Sequence, residues 1–230
     1  PLGYTYEAIV TGSQTTVGYG QSIIESLVIY NEDGEDVTDQ YRITYNTGRL
    51  HVYKEILEIE TVSSSKIYDG TPLSAYGYNE PTGLLPNHVL QNVKMTTSIS
   101  SDGSAANYIS FKVIDLRTGE DVTYMYYVIK HYGILTVNPI ELTIEIGSAE
   151  KTYDGTPLEC KEYTYYSTVD PTKTGLLPGH TLKVQISDSI TNIGITENTA
   201  DVISITSGYK NVLSNYKITI KNGTLTIKPE

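Results

Sequence analysis

The sequence predicts an all-β protein built of β-sandwich modules in tandem, and three observations carry that expectation. Aromatic usage is lopsided, with 21 Tyr against one Phe and no Trp. Tyrosine suits half-exposed strands, where the ring packs while the hydroxyl stays in water. Apolar residues at i, i+3 and i+4 are scarce, whereas period-two alternation is frequent. The chain also repeats itself: Lys66–Leu73 reads KIYDGTPL, and Lys151–Leu158 reads KTYDGTPL 85 residues further on.

The repeat extends well beyond that motif. GLLPNH at Gly83–His88 returns as GLLPGH at Gly175–His180, after an insertion of about seven residues, and GEDVTDQY from Gly34 returns as GEDVTYMY from Gly119. Three endings line up: YRITYNTGRLHV from Tyr41, YYVIKHYGILTV from Tyr126 and YKITIKNGTLTI from Tyr216. These divide the chain into a short or incomplete β repeat at 1–53 and two YDG-type β repeats at 54–138 and 139–230. Copy one lacks the YDG half, since Gly3 aligns with Gly179. Pro1 and Leu2 before it read as a cloning remnant.

Each ending reads as a hairpin. Asn222-Gly223 is a strong type I′ turn signal, because both turn positions need φ > 0. Centring on it places Ile220 opposite Leu225 and Ile218 opposite Ile227, with Thr219, Lys221, Thr224 and Thr226 on the other face. The same construction pairs Tyr45 with Leu50 and Ile43 with Val52 in copy one, and Lys130 with Leu135 in copy two. Lys130 on the inner face is expected to snorkel outward. The inward face switches phase at Asn138-Pro139, from odd-numbered Leu135 and Val137 to even-numbered Ile140, Leu142, Ile144 and Ile146. A similar switch crosses Tyr53-Lys54. Such short joints predict a stiff series of modules.

Composition excludes several classes of function. A net charge of −11 with scattered lysines argues against a nucleic acid partner. No apolar run of 18 residues is present, and no charged-then-apolar leader opens the chain, so neither membrane insertion nor a signal peptide is expected in this stretch. Cys160 is the single cysteine, which rules out an internal disulfide and leaves it as a small apolar side chain.

No enzyme is expected. G-x-S-x-G, a Gly-rich phosphate loop, H-E-x-x-H and a Cys/His pair are all missing, so no catalytic, cofactor-binding or metal residues are assigned. Tyr68, Asp69, Gly70 and Pro72, with Tyr153, Asp154, Gly155 and Pro157, are read as a structural repeat motif. Asp-Gly makes a turn, the aspartate bonds its own turn's backbone, the tyrosine packs on it, and the proline fixes φ. His88 and His180 match in position, but copy one has Tyr4 there, which argues against a metal site. The acidic loop Asn31–Asp36 lacks a full calcium ligand pattern and reads as a solvated turn. Tyr163, Tyr165 and Tyr166 could contact a sugar by stacking, against the plainer reading of strand tyrosines; Tyr124, Tyr126 and Tyr127 form a similar cluster.

On Lys66–Leu73, Lys151–Leu158 and the endings, residues 54–230 resemble the YDG-type and related β-rich repeats of bacterial, mainly Gram-positive, cell-surface adhesin-like proteins. Residues 3–53 match the second half of a unit. The resemblance implies immunoglobulin-like sandwiches set end to end. Their role would be spacers or stalks projecting an adhesive or enzymatic tip from the cell wall. The chain would be secreted or wall-associated, with signal and anchor outside this excerpt and neighbouring repeats as partners. The alternative function is an adhesin module that binds a glycan or a host or matrix protein through tyrosine-rich strand faces. The alternative fold is an α+β grasp-like module with a helix between Thr191 and Val202. The resemblance also raises a Lys–Asn isopeptide bond, for which Lys151 and Asn222 are imaginable partners.

Overall fold

The computed structural model describes residues 3–230; Pro1 and Leu2, expected from the sequence to be a cloning remnant, lie outside them. Among the described residues there is no α-helix, only strands and three single-turn 3-10 segments, gathered into several small sheets. Two compact units emerge from the packing. One comprises the chain up to Glu60 with Tyr78–Lys94 and Ser110–His131, and the other comprises Thr61–Gly77, Met95–Ile109 and Tyr132–Glu230.

In the first unit, β1 (Thr5–Thr11), β2 (Gly18–Tyr30) and β3 (Gly48–Val52) form an antiparallel sheet with β2 in the middle. The long β2 serves two partners, with Ile23–Tyr30 on β1 and Gly18–Ser22 on β3. Next come β4 (Glu55–Glu60) and then β5 (Ser64–Ile67), which belongs to the second unit. β6 (His88–Met95) is next, then β7 (Gly103–Ala106), β8 (Ile109–Asp115), β9 (Tyr126–His131) and β10 (Ile134–Asn138). β4 runs parallel to β9, and β6 pairs with β8. The alternation of Leu57 and Ile59 with Glu58 and Glu60 turns the aliphatics inward, and Leu57 packs with Val113, Val122 and Tyr126.

In the second unit, β10 lies between β5, parallel, and β7, antiparallel. Copy three supplies β11 (Ile140–Ile146), β12 (Ala149–Thr152), β13 (Leu158–Glu159), β14 (Tyr163–Ser167) and β15 (His180–Gln185). It continues with β16 (Ser189–Ile190), β17 (Gly194–Asn198), β18 (Val202–Ser207), β19 (Lys210–Asn211), β20 (Tyr216–Lys221) and β21 (Gly223–Lys228). Sheets β14-β11-β20 and β15-β18-β19 enclose Leu142, Ile144, Ile205, Val212 and Tyr216. β12-β21-β17 and the β13-β16 pair continue beyond them. The Thr191–Val202 segment, where a grasp-like module would need a helix, contains β17 instead.

The hairpins expected at the three endings do not form. β20 pairs with β11 while β21 pairs with β12 and β17, so Ile220 faces Ile144 across the ladder rather than Leu225. Copy two does the same, with β9 on β4 and β10 on β5 and β7. In copy one β3 pairs with β2, not with residues 41–46. Gly223 explains the misreading. Its φ is not positive, and a Cβ there would run into the Gly147 backbone; Gly133 is held against Thr61 and Val62 in the same way. The glycine serves close approach of two crossing strands, not a left-handed turn. Alternation within the strand holds, since Leu225 and Ile227 are buried and Thr224 is exposed, although Ile220 is exposed as well. Lys130 does not face Leu135; its ammonium lies over the Phe111 ring. The phase switch at Asn138-Pro139 is present, with Leu135 and Val137 buried before it and Leu142, Ile144 and Ile146 after it.

Copies share one further element that sequence comparison found only twice. Turns Thr38–Gln40, Thr123–Met125 and Leu213–Asn215 each come directly after a buried valine, Val37, Val122 or Val212. Each is opened by a side-chain acceptor: Asp36 to the Thr38 N–H, Asp121 to Thr123, and Asn211 to Leu213. Copy three spells this loop GYKNVLSN, and the replacement of Asp-Val-Thr by Asn-Val-Leu had hidden it.

Candidate functional site

The repeat motif folds into the same lysine-centred turn twice. Gly70 and Gly155 sit at φ 82° and 78°, where a Cβ would be strained. Asp69 Oδ1 accepts from the Thr71 N–H (2.9 Å) and hydroxyl (2.7 Å), as Asp154 does from Thr156 (2.9 and 2.8 Å). Lys66 Nζ donates to Asp69 Oδ1 (2.6 Å) and to the Thr71 carbonyl (2.7 Å). Lys151 repeats both distances with Asp154 and Thr156. The lysine ammonium is the first cause, in both copies, that holds the aspartate well below the usual carboxylate range; the threonine bonds add to it. This arrangement locks a turn. It occupies Lys151 with Asp154 and Thr156, while Asn222 reaches toward Glu197 at 3.4 Å.

The tyrosines of the motif differ. Tyr68 is buried with Leu73, Leu135 and Val137, and Ile140 and Leu177 of copy three close the cluster. Its ring lies 6.2 Å from His180 and 6.4 Å from Tyr216, edge-on to the latter. Beside it, Asn215 Oδ1 accepts the Asp102 N–H at 2.7 Å. Tyr153, at the matching position, is 41% exposed.

The paired histidines are held by paired tyrosines. The Tyr216 hydroxyl accepts the Leu177 N–H (3.2 Å) and lies 2.7 Å from His180 Nδ1. Tyr126 does the same with Leu85 (3.1 Å) and His88 (2.5 Å). A hydroxyl that accepts from the backbone still has its own hydrogen to offer, and its contact with Nδ1 is a hydrogen bond in either direction. In copy two, Nε2 faces Asp115 Oδ2 at 3.8 Å, and Asp115 also takes two bonds from the Arg117 guanidinium and one from its backbone N–H. Copy three has Ser207 at that place. Burial pushes His180 below its ordinary pKa and raises the Tyr216 and Tyr126 hydroxyls. Each trio pins its GLLP turn to the strand carrying the tyrosine.

The most buried polar residues were missed at the sequence level. Asn107 and Asn198 are fully buried at equivalent places. Asn198 Nδ2 donates to the Gly147 (2.9 Å) and Cys160 (2.8 Å) carbonyls, and Asn107 Nδ2 to those of Val62 (3.0 Å) and Ala75 (3.1 Å). Each clamps the two segments beside the strand crossing, and Ser148 and Ser63 add a bond each to the Thr224 and Ile134 N–H groups. Neither Oδ1 has a protein donor. Local sequence carries no signal for them: Asn198 sits among Thr196, Glu197 and Thr199, where a polar residue reads as an exposed one.

Tyr163 and Tyr165 pack against the copy-three core. Tyr166 points to the other face, where its hydroxyl accepts from Lys221 (2.7 Å) and reaches Glu145 (3.4 Å). The three therefore do not share one platform. Glu145–Ser148 and Lys161–Thr164 line a groove of about 600 Å³. An exposed aromatic group lies in copy one, where His51 stacks on Tyr19 (4.0 Å) and meets Tyr53 at a tilt of 51° (3.8 Å), with Arg49 over Tyr19. In the acidic loop, Asn31 Oδ1 accepts the Asp33 and Glu35 N–H groups, a self-contained turn. Among the described residues no cluster of three or more His, Cys, Asp or Glu is placed to hold a metal, and no helix is long and apolar enough to cross a membrane.

Comparison with family models, with curated proteins and with solved structures returned no match.

Proposed function

We propose that this chain is a run of spacer repeats from a bacterial cell-surface protein, immunoglobulin-like sandwiches set end to end that hold an adhesive or enzymatic tip away from the cell wall. The YDG resemblance suggests the setting. The observation that carries the reading is the join at Asn138-Pro139, where two repeats meet without a linker. Tyr68 packs against His180 and Tyr216, Ile140 and Leu177 complete its core, and Asn215 accepts the Asp102 N–H. A spacer transmits orientation only when its joints resist bending, and buried apolar area with satisfied backbone groups supplies that resistance. The partners of such a chain are its own neighbouring repeats.

The runner-up is ligand capture by an aromatic face. Its support is the Tyr19–His51–Tyr53 group with Arg49, because exposed rings offer a sugar an apolar surface. One experiment separates the two. Residual dipolar couplings should give residues 61–77 and 140–230 a single alignment tensor in the intact chain, and Tyr68→Ala should split it. A glycan and matrix-protein array should return no saturable binding. Two independent tensors in the unaltered protein, or saturable binding lost in Tyr19→Ala, would overturn the spacer reading.

A further inference from the structure

Copy two carries a pair of exposed tyrosines on a base that the strand crossing has already made rigid. Tyr108 directly follows the buried Asn107, and Tyr132 directly precedes Gly133, the glycine held against Thr61 and Val62. Three bonds stitch the two backbones together. The Asn107 N–H donates to the Gly133 carbonyl (2.8 Å), the Gly133 N–H donates to Thr61 Oγ1 (2.9 Å), and that hydroxyl donates to the Asn107 carbonyl (2.8 Å). On its other side Tyr108 is fixed by its own N–H donating to Thr97 Oγ1 (3.0 Å) and its carbonyl accepting the Thr96 N–H (3.0 Å). From this base the two rings meet edge to face, with centroids 4.8 Å apart and planes at 78°. Both remain open to solvent, Tyr108 at 51% and Tyr132 at 39%.

The crossing does not need these rings. Copy three builds it around Asn198 and Gly223 with Thr199 and Asn222 at the two places. Among the described residues the other tyrosine–tyrosine ring contact, Tyr68 with Tyr216, is wider at 6.4 Å and buried. Tyr108 and Tyr132 thus combine close approach with access for an oxidant.

We infer that Tyr108 and Tyr132 are an oxidative cross-linking site, joined ring to ring as dityrosine by hydrogen peroxide and a haem peroxidase. Each phenol gives up one electron and one proton, and the two radicals couple through a Cε carbon of each ring, ortho to the hydroxyl. Each coupled carbon then passes its hydrogen to its phenolic oxygen, which restores both hydroxyls. The two electrons and two protons released reduce one peroxide to two waters. Rings already held together couple within the chain, because preorganisation raises their effective concentration. The product closes a covalent loop from 108 to 132 that reductants do not open, in a chain whose single cysteine rules out an internal disulfide. The inference rests on ring geometry and stands whether or not the chain is a spacer.

The test is treatment of the dilute full chain with a haem peroxidase and hydrogen peroxide. A monomer lighter by two hydrogens and bearing dityrosine fluorescence is expected, and peptide mapping should find the segments containing Tyr108 and Tyr132 joined. Tyr132→Phe keeps the ring and should keep the denaturation midpoint, while the yield of that monomer falls by about tenfold or more. Tyr76→Phe, which removes a phenol that is 82% exposed, should leave the yield unchanged. Unfolding the chain in denaturant before oxidation should remove the preference for this pair. Absence of the lighter monomer, products that only join separate chains, coupling spread over other tyrosine pairs, or an equal yield from Tyr132→Phe or from the unfolded chain would overturn the proposal.

Discussion

Copy one and copy three carry the same buried valine turn, the same antiparallel pairs and the same tyrosine after the turn, yet they differ in burial. In copy three, Leu142, Ile144 and Ile205 are all fully buried. Within the described part of copy one, only Val37 is buried, and Ile23, Ile24, Leu27 and Val28 are exposed or half-exposed. The difference lies in the two strands that open a full repeat. Copy three has β11 and β12, each beside a strand of the ending, and the described residues of copy one include no counterpart of either. Burial here is thus a property of strand company rather than of strand composition. A β-sheet with one uncovered face cannot remove its aliphatics from water whatever their alternation.

The polar positions obey the same rule. Asn198 clamps the Gly147 and Cys160 carbonyls. Its place in copy one belongs to Ser22, since Gly48 faces Ser22 on the ladder as Gly223 faces Asn198. The segments whose carbonyls the asparagine binds have no counterpart among the described residues of copy one.

Four pairs of substitutions press on this contrast, beginning with the largest expected effect. Leu142→Ala should cost about 2–5 kcal/mol, the range for emptying a filled core site. Ile29→Ala in copy one should cost well under half as much, because Ile29 is only half-buried; denaturant titration monitored on resonances of each copy reads both. Amides of 3–53 should exchange before those of 140–229. Protection of copy one equal to that of copy three in a monomer would make copy one a complete small domain and break the comparison.

Tyr68→Ala should cost about 3 kcal/mol, as for other buried aromatics, whereas Tyr153→Ala should stay within about 1 kcal/mol at its half-exposed site. Equal losses would remove the distinction between a covered and an uncovered motif. Asn198→Ala, which leaves two buried carbonyls without donors, should cost about 2 kcal/mol, and Ser22→Ala about 0.5 kcal/mol or less.

The smallest effect concerns the tyrosine–histidine pair. Tyr216→Phe strips the Leu177 N–H of its acceptor and should cost about 1 kcal/mol, while Tyr41→Phe in copy one should be neutral. Acid sharpens the point. His180 titrates below its ordinary value in the folded state because burial disfavours its charge, so the unfolded chain binds the proton first. Its contribution is whole above about pH 6.5 and is lost as pH falls from there through the folded value. Asp69 and Asp154, lowered chiefly by Lys66 and Lys151, keep their contribution until pH falls below the usual carboxylate range toward their depressed folded values. A histidine titration by NMR that finds His180 at or above its ordinary pKa would remove the first effect.

The sequence by itself determined the features that depend on neighbours along the chain. Period-two alternation gave the all-β class, the Asp-Gly turns formed where they were read, and the phase switch at Asn138-Pro139 marked a change of core. In each case the deciding forces act within a few residues: side-chain direction, φ preference and the bond from an aspartate to its own turn. Tertiary structure decided which strands keep company. Asn222-Gly223 has the chemistry of a hairpin turn, yet Gly223 is there because the Gly147 backbone passes beside it. Asn107 and Asn198 look like ordinary loop polars until two distant carbonyls meet at each amide. The exposure of Tyr153 against the burial of Tyr68, in nearly identical octapeptides, depends on His180, Tyr216 and Leu177 arriving from more than a hundred residues away. Pairing and burial are interactions between segments remote in the chain, and a local pattern can specify the face a residue presents but not the surface that covers it.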